Sequence, residues 1–168
     1  MRVILIGFMG VGKTSVGKNL AKRLNIDFVD TDYEIEKLAN KSISEIFEKY
    51  GEKYFRNLEN KVLQRYIKNE NIVISTGGGI ITTKENYNIL NNEEKVIFLD
   101  ASVNTIIDHL SREVNKRPLI KESDNLYKKI DDLLSIRYKK YTDVCDISID
   151  VNGKNIDEVI SQILVYIR

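Results

Sequence analysis

Short apolar runs, four residues or so in length, punctuate longer stretches of mixed polarity along this 168-residue chain. Val3-Ile4-Leu5-Ile6, Ile72-Val73-Ile74-Ser75 and Val96-Ile97-Phe98-Leu99 are continuously apolar rather than alternating. That pattern predicts strands of a parallel sheet, because crossover helices bury both of its faces. Ile26 to Asp30 and Ile147 to Val151 read as two further strands. Between the strands the apolar period lengthens to that of a helix. Val16, Leu20 and Leu24 recur every fourth residue, with Gly17 and Ala21 offering a narrow face for close packing. Ser42-Ile43-Ser44-Glu45 and Thr82-Thr83-Lys84-Glu85 read as capping boxes that open helices. Ile156, Val159, Ile160, Ile163, Leu164 and Ile167 form one apolar stripe near the C-terminus. Alternating strands and helices predict an open α/β sheet with right-handed crossovers, in which ligands bind at the carboxyl ends of the strands. From about 111 to 125 the pattern lapses into a polar stretch around Pro118, the one proline. A loop of that length in a compact domain is expected to be a mobile lid.

Composition narrows the class. Lys plus Arg number 26 and Asp plus Glu 25, so no bulk basicity points to nucleic acid as a partner. No apolar run approaches the roughly 20 residues needed to cross a membrane. The single cysteine, Cys145, can form neither an internal disulfide nor a zinc site. Together these features lead us to expect a cytoplasmic, monomeric single domain spanning 1–168. Cys145 and His109, the one histidine, have no evident chemical partners and are expected to be structural.

The chemistry concentrates after the first strand. Gly7-Phe8-Met9-Gly10-Val11-Gly12-Lys13-Thr14 fits G-x-x-x-x-G-K-[ST], between a strand and an amphipathic helix. Its glycines let backbone N–H groups wrap a phosphate, and the helix N-terminus adds partial positive charge. Lys13 supplies a full charge to the β- and γ-phosphates, and the Thr14 hydroxyl is a hard oxygen suited to Mg²⁺. Asp30-Thr31-Asp32 ends the second strand. An Asp there serves equally as a helix N-cap. Beside a phosphate loop, one carboxylate can hold the hydration shell of Mg²⁺ and the other can take a proton from an attacking hydroxyl. Arg56, flanked by Glu52 and Glu59, fits either a solvated ion-pair ladder or a fork for a substrate carboxylate. Gly77-Gly78-Gly79 leaves backbone bare directly after a buried strand. A nucleotide-dependent switch would need Asn-Lys-x-Asp, and both Asn40-Lys41-Ser42-Ile43 and Asn115-Lys116-Arg117-Pro118 lack the Asp.

The full set resembles shikimate kinase: the phosphate loop at 7–14, Asp30-Thr31-Asp32, Phe55-Arg56-Asn57-Leu58-Glu59, Ser75-Thr76-Gly77-Gly78-Gly79 and Arg117-Pro118-Leu119, in family order over nearly the whole chain. The resemblance implies the three-layer P-loop kinase fold, with five parallel strands in the order 2-3-1-4-5. It implies substrate-binding helices at about 31–68 and a lid at about 111–125. It further implies transfer of the ATP γ-phosphate to the 3-hydroxyl of shikimate, with Mg²⁺. By that likeness Gly10, Val11, Gly12, Lys13, Thr14, Ser15, Arg112, Arg117 and Asn152 face the nucleotide. Thr14 and Asp30 face the metal. Asp32, Arg56, Gly77, Gly78, Gly79 and Arg137 face shikimate, and Lys13, Asp32 and Arg117 carry the chemistry. One stretch departs from the family pattern. Where the family has Arg, any residue, Pro, Leu, Tyr, any residue, Glu, this chain has Arg137-Tyr138-Lys139-Lys140-Tyr141-Thr142-Asp143. The other readings within the class are a kinase of another small hydroxy acid, such as a gluconate-type acid, or of a nucleotide.

Overall fold

Five parallel strands line up in the order β2-β3-β1-β4-β5. A computed structural model describes residues 1–112 and 126–167. The strands are β1 (Arg2–Ile6), β2 (Asp27–Asp30), β3 (Ile72–Ser75), β4 (Val96–Asp100) and β5 (Ile147–Asp150). β2 and β5 are each one residue shorter than the apolar pattern suggested: the Ile26 N–H turns back to the Ala21 carbonyl, and Val151 makes one last bond to Asp100 just past the end of β5. The helices are α1 (Lys13–Leu24), α2 (Thr31–Ala39), α3 (Ile43–Tyr66), α4 (Lys84–Asn91), α5 (Val103–Arg112), α6 (Leu126–Val144) and α7 (Ile156–Ile167). The residues expected to form the lid lie, from 113 to 125, outside the described residues, and Arg117 with them.

Side chains on a strand point alternately to opposite faces, so each continuously apolar strand feeds two cores. Val3, Leu5, Ile97 and Leu99 pack with α1, α5 and α7, while Ile4, Ile6, Val96 and Phe98 pack with residues of α3, α4 and α6. A third, smaller cluster of Ile35, Ile46, Phe55, Leu58 and Val62 joins α2 to α3. This separate core holds the two helices that carry Asp32 and Arg56 as one unit beside the sheet. α3 is broken at Gly51, whose φ of 78° and ψ of 171° are not helical.

The caps partly follow the sequence. Ser42 opens α3 with a reciprocal box: its Oγ accepts from Glu45 N–H at 3.2 Å and its own N–H donates to Glu45 Oε2 at 2.7 Å. The second box is displaced. Thr83, not Thr82, caps α4 and accepts from the N–H of Asn86, so Glu85 has no capping partner. The reason is a 3-10 turn at Ile80–Thr82, in which Thr82 Oγ1 donates to the Gly79 carbonyl at 2.7 Å. Cys145 lies between α6 and β5.

Thr31 is the joint between the acidic pair and the glycine loop. Fully buried, it accepts from the Gly77 N–H at 3.1 Å through Oγ1. Thr31→Val keeps the shape and leaves that N–H without a partner. Urea unfolding should show a loss of about 1–3 kcal/mol, the cost of an orphaned buried donor. An unchanged midpoint would mean that the bond contributes nothing to the fold.

Candidate active site

The carboxyl ends of β1, β2 and β3 converge on one spot, as a parallel sheet with this strand order requires. From β1 comes the phosphate loop, which runs into α1 with Gly12 as N-cap and Lys13 as first helical residue. Lys13 is buried, and its Nζ donates to the Gly7 and Phe8 carbonyls at 2.8 Å each. Burial lowers its pKa to about 8, outweighing the opposing pull of Asp32 and Asp30.

From β2 come the two aspartates, and they divide the work. Asp30 is the N-cap of α2: its Oδ1 accepts from Asp32 N–H at 3.0 Å and Tyr33 N–H at 3.3 Å. Its Oδ2 accepts from the Thr14 hydroxyl at 2.5 Å. The cap therefore falls on Asp30, and Asp32 is left free of that task. Asp32 Oδ1 is buried with no hydrogen-bond partner among the described residues. Burial, then the neighbouring Asp30, raise its pKa from 3.8 to about 6, with Lys13 acting in the opposite direction.

From β3 comes Gly77-Gly78-Gly79, and each glycine is flush against a different part of the site. A Cβ on Gly77 would stand 2.6 Å from Asp32 Oδ1 and 3.0 Å from Glu59 Oε1. One on Gly79 would lie 2.4 Å from both terminal nitrogens of Arg56. A side chain at either place would have to displace the carboxylates or the guanidinium. Glu59 is fully buried on α3; its Oε2 accepts from Arg56 Nη1 at 2.9 Å and its Oε1 has no partner among the described residues. Burial pushes its pKa up to about 7 against the pull of Arg56. Glu52 Oε1 takes the other side of the guanidinium at 3.2 Å, and the Phe55 ring lies 5.1 Å from its centre. Both carboxylates and the ring fix the fork against the glycine loop.

Arg137 arrives from α6. Its Nη1 donates to the Gly78 carbonyl at 3.3 Å and its guanidinium lies 5.6 Å from the Phe8 ring. The Tyr141 hydroxyl donates to the same carbonyl, and its ring stacks on Phe98 at 4.9 Å. Lys139 and Lys140, in place of the family Pro and Leu, continue α6, and Asp143 pairs with Lys139 at 2.9 Å.

Two arginines, two carboxylates and the phosphate-loop lysine thus meet around one glycine loop. The remaining nucleotide-side residues are dispersed. Ser15 is exposed in the first turn of α1, and Arg112 is exposed at the end of α5. Asn152 is engaged elsewhere: its Oδ1 accepts from Ser102 N–H and the Thr105 hydroxyl at 2.9 and 2.7 Å, tying the end of β5 to α5. Three contributors escaped the reading of the sequence. Thr31 sat hidden between two more conspicuous aspartates. Tyr141 carried a signal in its spacing of four from Arg137. His109, read as lacking a partner, in fact bonds the Gly10 carbonyl of the phosphate loop at 2.7 Å.

Among known proteins, the family model for shikimate kinase matches residues 9–168. The shikimate kinase of Caldicellulosiruptor saccharolyticus is 45% identical over 150 residues, covering 89% of this chain and 86% of that protein. That of Persephonella marina is 40% identical over 166 residues, covering 99% and 98%. Among solved structures, the shikimate kinase from Acinetobacter baumannii in complex with shikimate superposes with a TM-score of 0.91 at 37% identity, covering 99% of this chain and 92% of that one. The enzyme from Aquifex aeolicus superposes with a TM-score of 0.82 at 38% identity, covering 99% and 96%. Sheet order, phosphate loop, glycine loop and full-length similarity agree on one assignment: this chain belongs to the shikimate kinase family.

Proposed function

We propose that this protein transfers the γ-phosphate of ATP to the 3-hydroxyl of shikimate, giving shikimate 3-phosphate and ADP. The observation that carries the reading is the convergence of Arg56, Arg137 and Asp32 on Gly77–Gly79, beside Lys13. That geometry suits an acceptor with a carboxylate at one end and hydroxyls at the other. Arg56, held by Glu52 and Glu59, and Arg137 take the carboxylate. Asp32 takes the hydroxyls and stands next to the phosphate loop. The hydroxyl oxygen attacks the γ-phosphorus, the bond to the β-phosphate oxygen breaks, and the hydroxyl proton passes to Asp32. A carboxylate whose pKa is about 6 accepts that proton far better than an ordinary one. Lys13 neutralises charge on the phosphates, and Arg117, outside the described residues, is assigned the same task from the lid.

Thr14 and Asp30 fit Mg²⁺. Their side-chain oxygens meet at 2.5 Å on the nucleotide side, a hard-oxygen pair of the kind that holds this ion together with substrate phosphates and water. When bound, the ion offsets the charge of the β- and γ-phosphates. We further propose that the chain acts as a cytoplasmic monomer and one domain, with residues 31–68 as its acceptor side. No helix among the described residues is long and apolar enough to cross a membrane.

Three outcomes test this reading. Purified protein should release ADP when both shikimate and Mg²⁺ are present. Equal release with gluconate or a nucleoside monophosphate would sink the acceptor assignment. Arg56→Ala should raise KM for shikimate roughly tenfold or more while changing kcat less, because a charge-assisted pair to a carboxylate is worth about 1.5–3 kcal/mol. A fall confined to kcat would place Arg56 at the transferring phosphate instead.

The third outcome concerns Asp32. Between pH 3.8 and about 6 the folded chain keeps a proton on this carboxyl that the unfolded chain releases. Stability therefore falls as pH rises through that window, and the ionised group opposes folding in full above it. Asp32→Asn should lower kcat about 100-fold or more, yet stabilise the ligand-free protein at pH 8 by on the order of 1–3 kcal/mol. Thermal melts should show the gain vanishing toward pH 4. In the parent, turnover should drop as pH falls through about 6. Near-normal turnover in Asp32→Asn would remove the base from the mechanism, and a lower Tm at pH 8 would contradict the cost of burying the charge.

A further inference from the structure

The phosphate loop rests on α5. A Cβ on Gly10 would stand 3.0 Å from Leu110 Cγ and 3.4 Å from the Ile106 carbonyl oxygen. Between those two contacts, half-buried His109 places Nδ1 2.7 Å from the Gly10 carbonyl oxygen. A carbonyl oxygen only accepts, so the imidazole donates and Nδ1 carries a proton. The consequence follows from the peptide unit. Gly10 C=O and Val11 N–H belong to one planar amide, and the structure contains no cis peptide among the described residues. In a trans amide the two groups point in opposite directions. Whatever holds the carbonyl toward α5 therefore aims the Val11 N–H away from α5.

We infer that His109 is a positioning residue for nucleotide binding: by holding the Gly10 carbonyl against α5, it sets the Val11 N–H toward the phosphates of the nucleotide. The inference rests on the reading of residues 7–14 as the nucleotide site. Other carbonyls of the same loop are also engaged, those of Gly7 and Phe8 by Lys13. Lys13 is needed for the chemistry itself, whereas His109 needs no contact with the nucleotide. Its loss should weaken nucleotide binding and leave acceptor binding alone.

The test compares two nearly isosteric replacements. Asn offers an amide N–H close to the place of Nδ1, and Leu has the same branching with no donor. MgADP binding is measured by calorimetry on the shikimate-free parent, His109→Asn and His109→Leu, with KM for ATP and for shikimate taken separately. His109→Leu should weaken MgADP binding and raise KM for ATP roughly 3- to 10-fold, the worth of one hydrogen bond. KM for shikimate should stay within about twofold of the parent. His109→Asn should recover most of the nucleotide affinity. Should His109→Leu fail to fold, His109→Phe, which keeps a ring and lacks the donor, takes its place and should show the same loss. Equal affinity in parent and donor-free variant overturns the inference. So does equal impairment in the Asn and donor-free variants, which would make His109 a packing residue. A parent that does not bind MgADP overturns the reading of the nucleotide site itself, and this inference with it.

Discussion

The bare backbone of Gly77-Gly78-Gly79 is the constraint on which this site depends. Three different groups lie so close to it that a Cβ would force something to shift: Asp32 at Gly77, the Met9 N–H at Gly78 and the Arg56 fork at Gly79. The phosphate loop, the acidic pair and Arg56 come from the ends of β1 and β2 and from α3, remote from one another in sequence. They occupy one small volume because nothing projects from the loop between them. Thr31 fastens the loop to α2 through the Gly77 N–H, and Thr82 closes its far end by bonding the Gly79 carbonyl. The site is therefore set by backbone positions fixed at both ends, and its side chains reach in from rigid elements.

Convergence of this kind puts charge where water is scarce. Lys13, Asp32 and Glu59 all have pKa values displaced by burial, the cation downward and the two carboxyls upward. Each would gain by leaving the interior, and each is kept by the packing of α1, α2 and α3 on apolar cores. The unpartnered oxygens of Asp32 and Glu59 belong to the same pattern. Buried polar atoms are ordinarily satisfied within the protein, and these two orphans stand on one wall, both within about 3 Å of the place a Cβ on Gly77 would take.

The fold was legible because its signals are collective. Four-residue apolar runs, buried on both faces, identified the parallel strands, and errors there were single residues at Ile26 and Val151. The site was legible where motif and element coincide, as in the phosphate loop between β1 and α1. Reading failed where a choice between neighbours depends on tertiary contact. Sequence could not say which of Asp30 and Asp32 caps α2, since both are aspartates and Asp caps well. Accepting from Thr14 as well as two backbone N–H groups fixes Asp30 in the cap. Likewise Thr82 and Thr83 are equivalent until the 3-10 turn claims Thr82. Nor could sequence say that the Asn152 side-chain oxygen accepts from the Ser102 N–H and the Thr105 hydroxyl at the start of α5.

The departure from the family pattern after Arg137 has a physical resolution in helix periodicity. Residues four apart share one face of a helix. Arg137 and Tyr141 are so spaced, and both direct their polar groups at the Gly78 carbonyl. Position 139, two residues from each, falls on another face. Lys139 is exposed and bonds Asp143 one turn on, a pairing that supports the helix and makes no demand on the site. A proline at 139 would remove an N–H from the helix ladder, so its absence leaves α6 continuous from Leu126 to Val144. The feature that site geometry requires of this stretch is the Arg–Tyr spacing, and that spacing is intact.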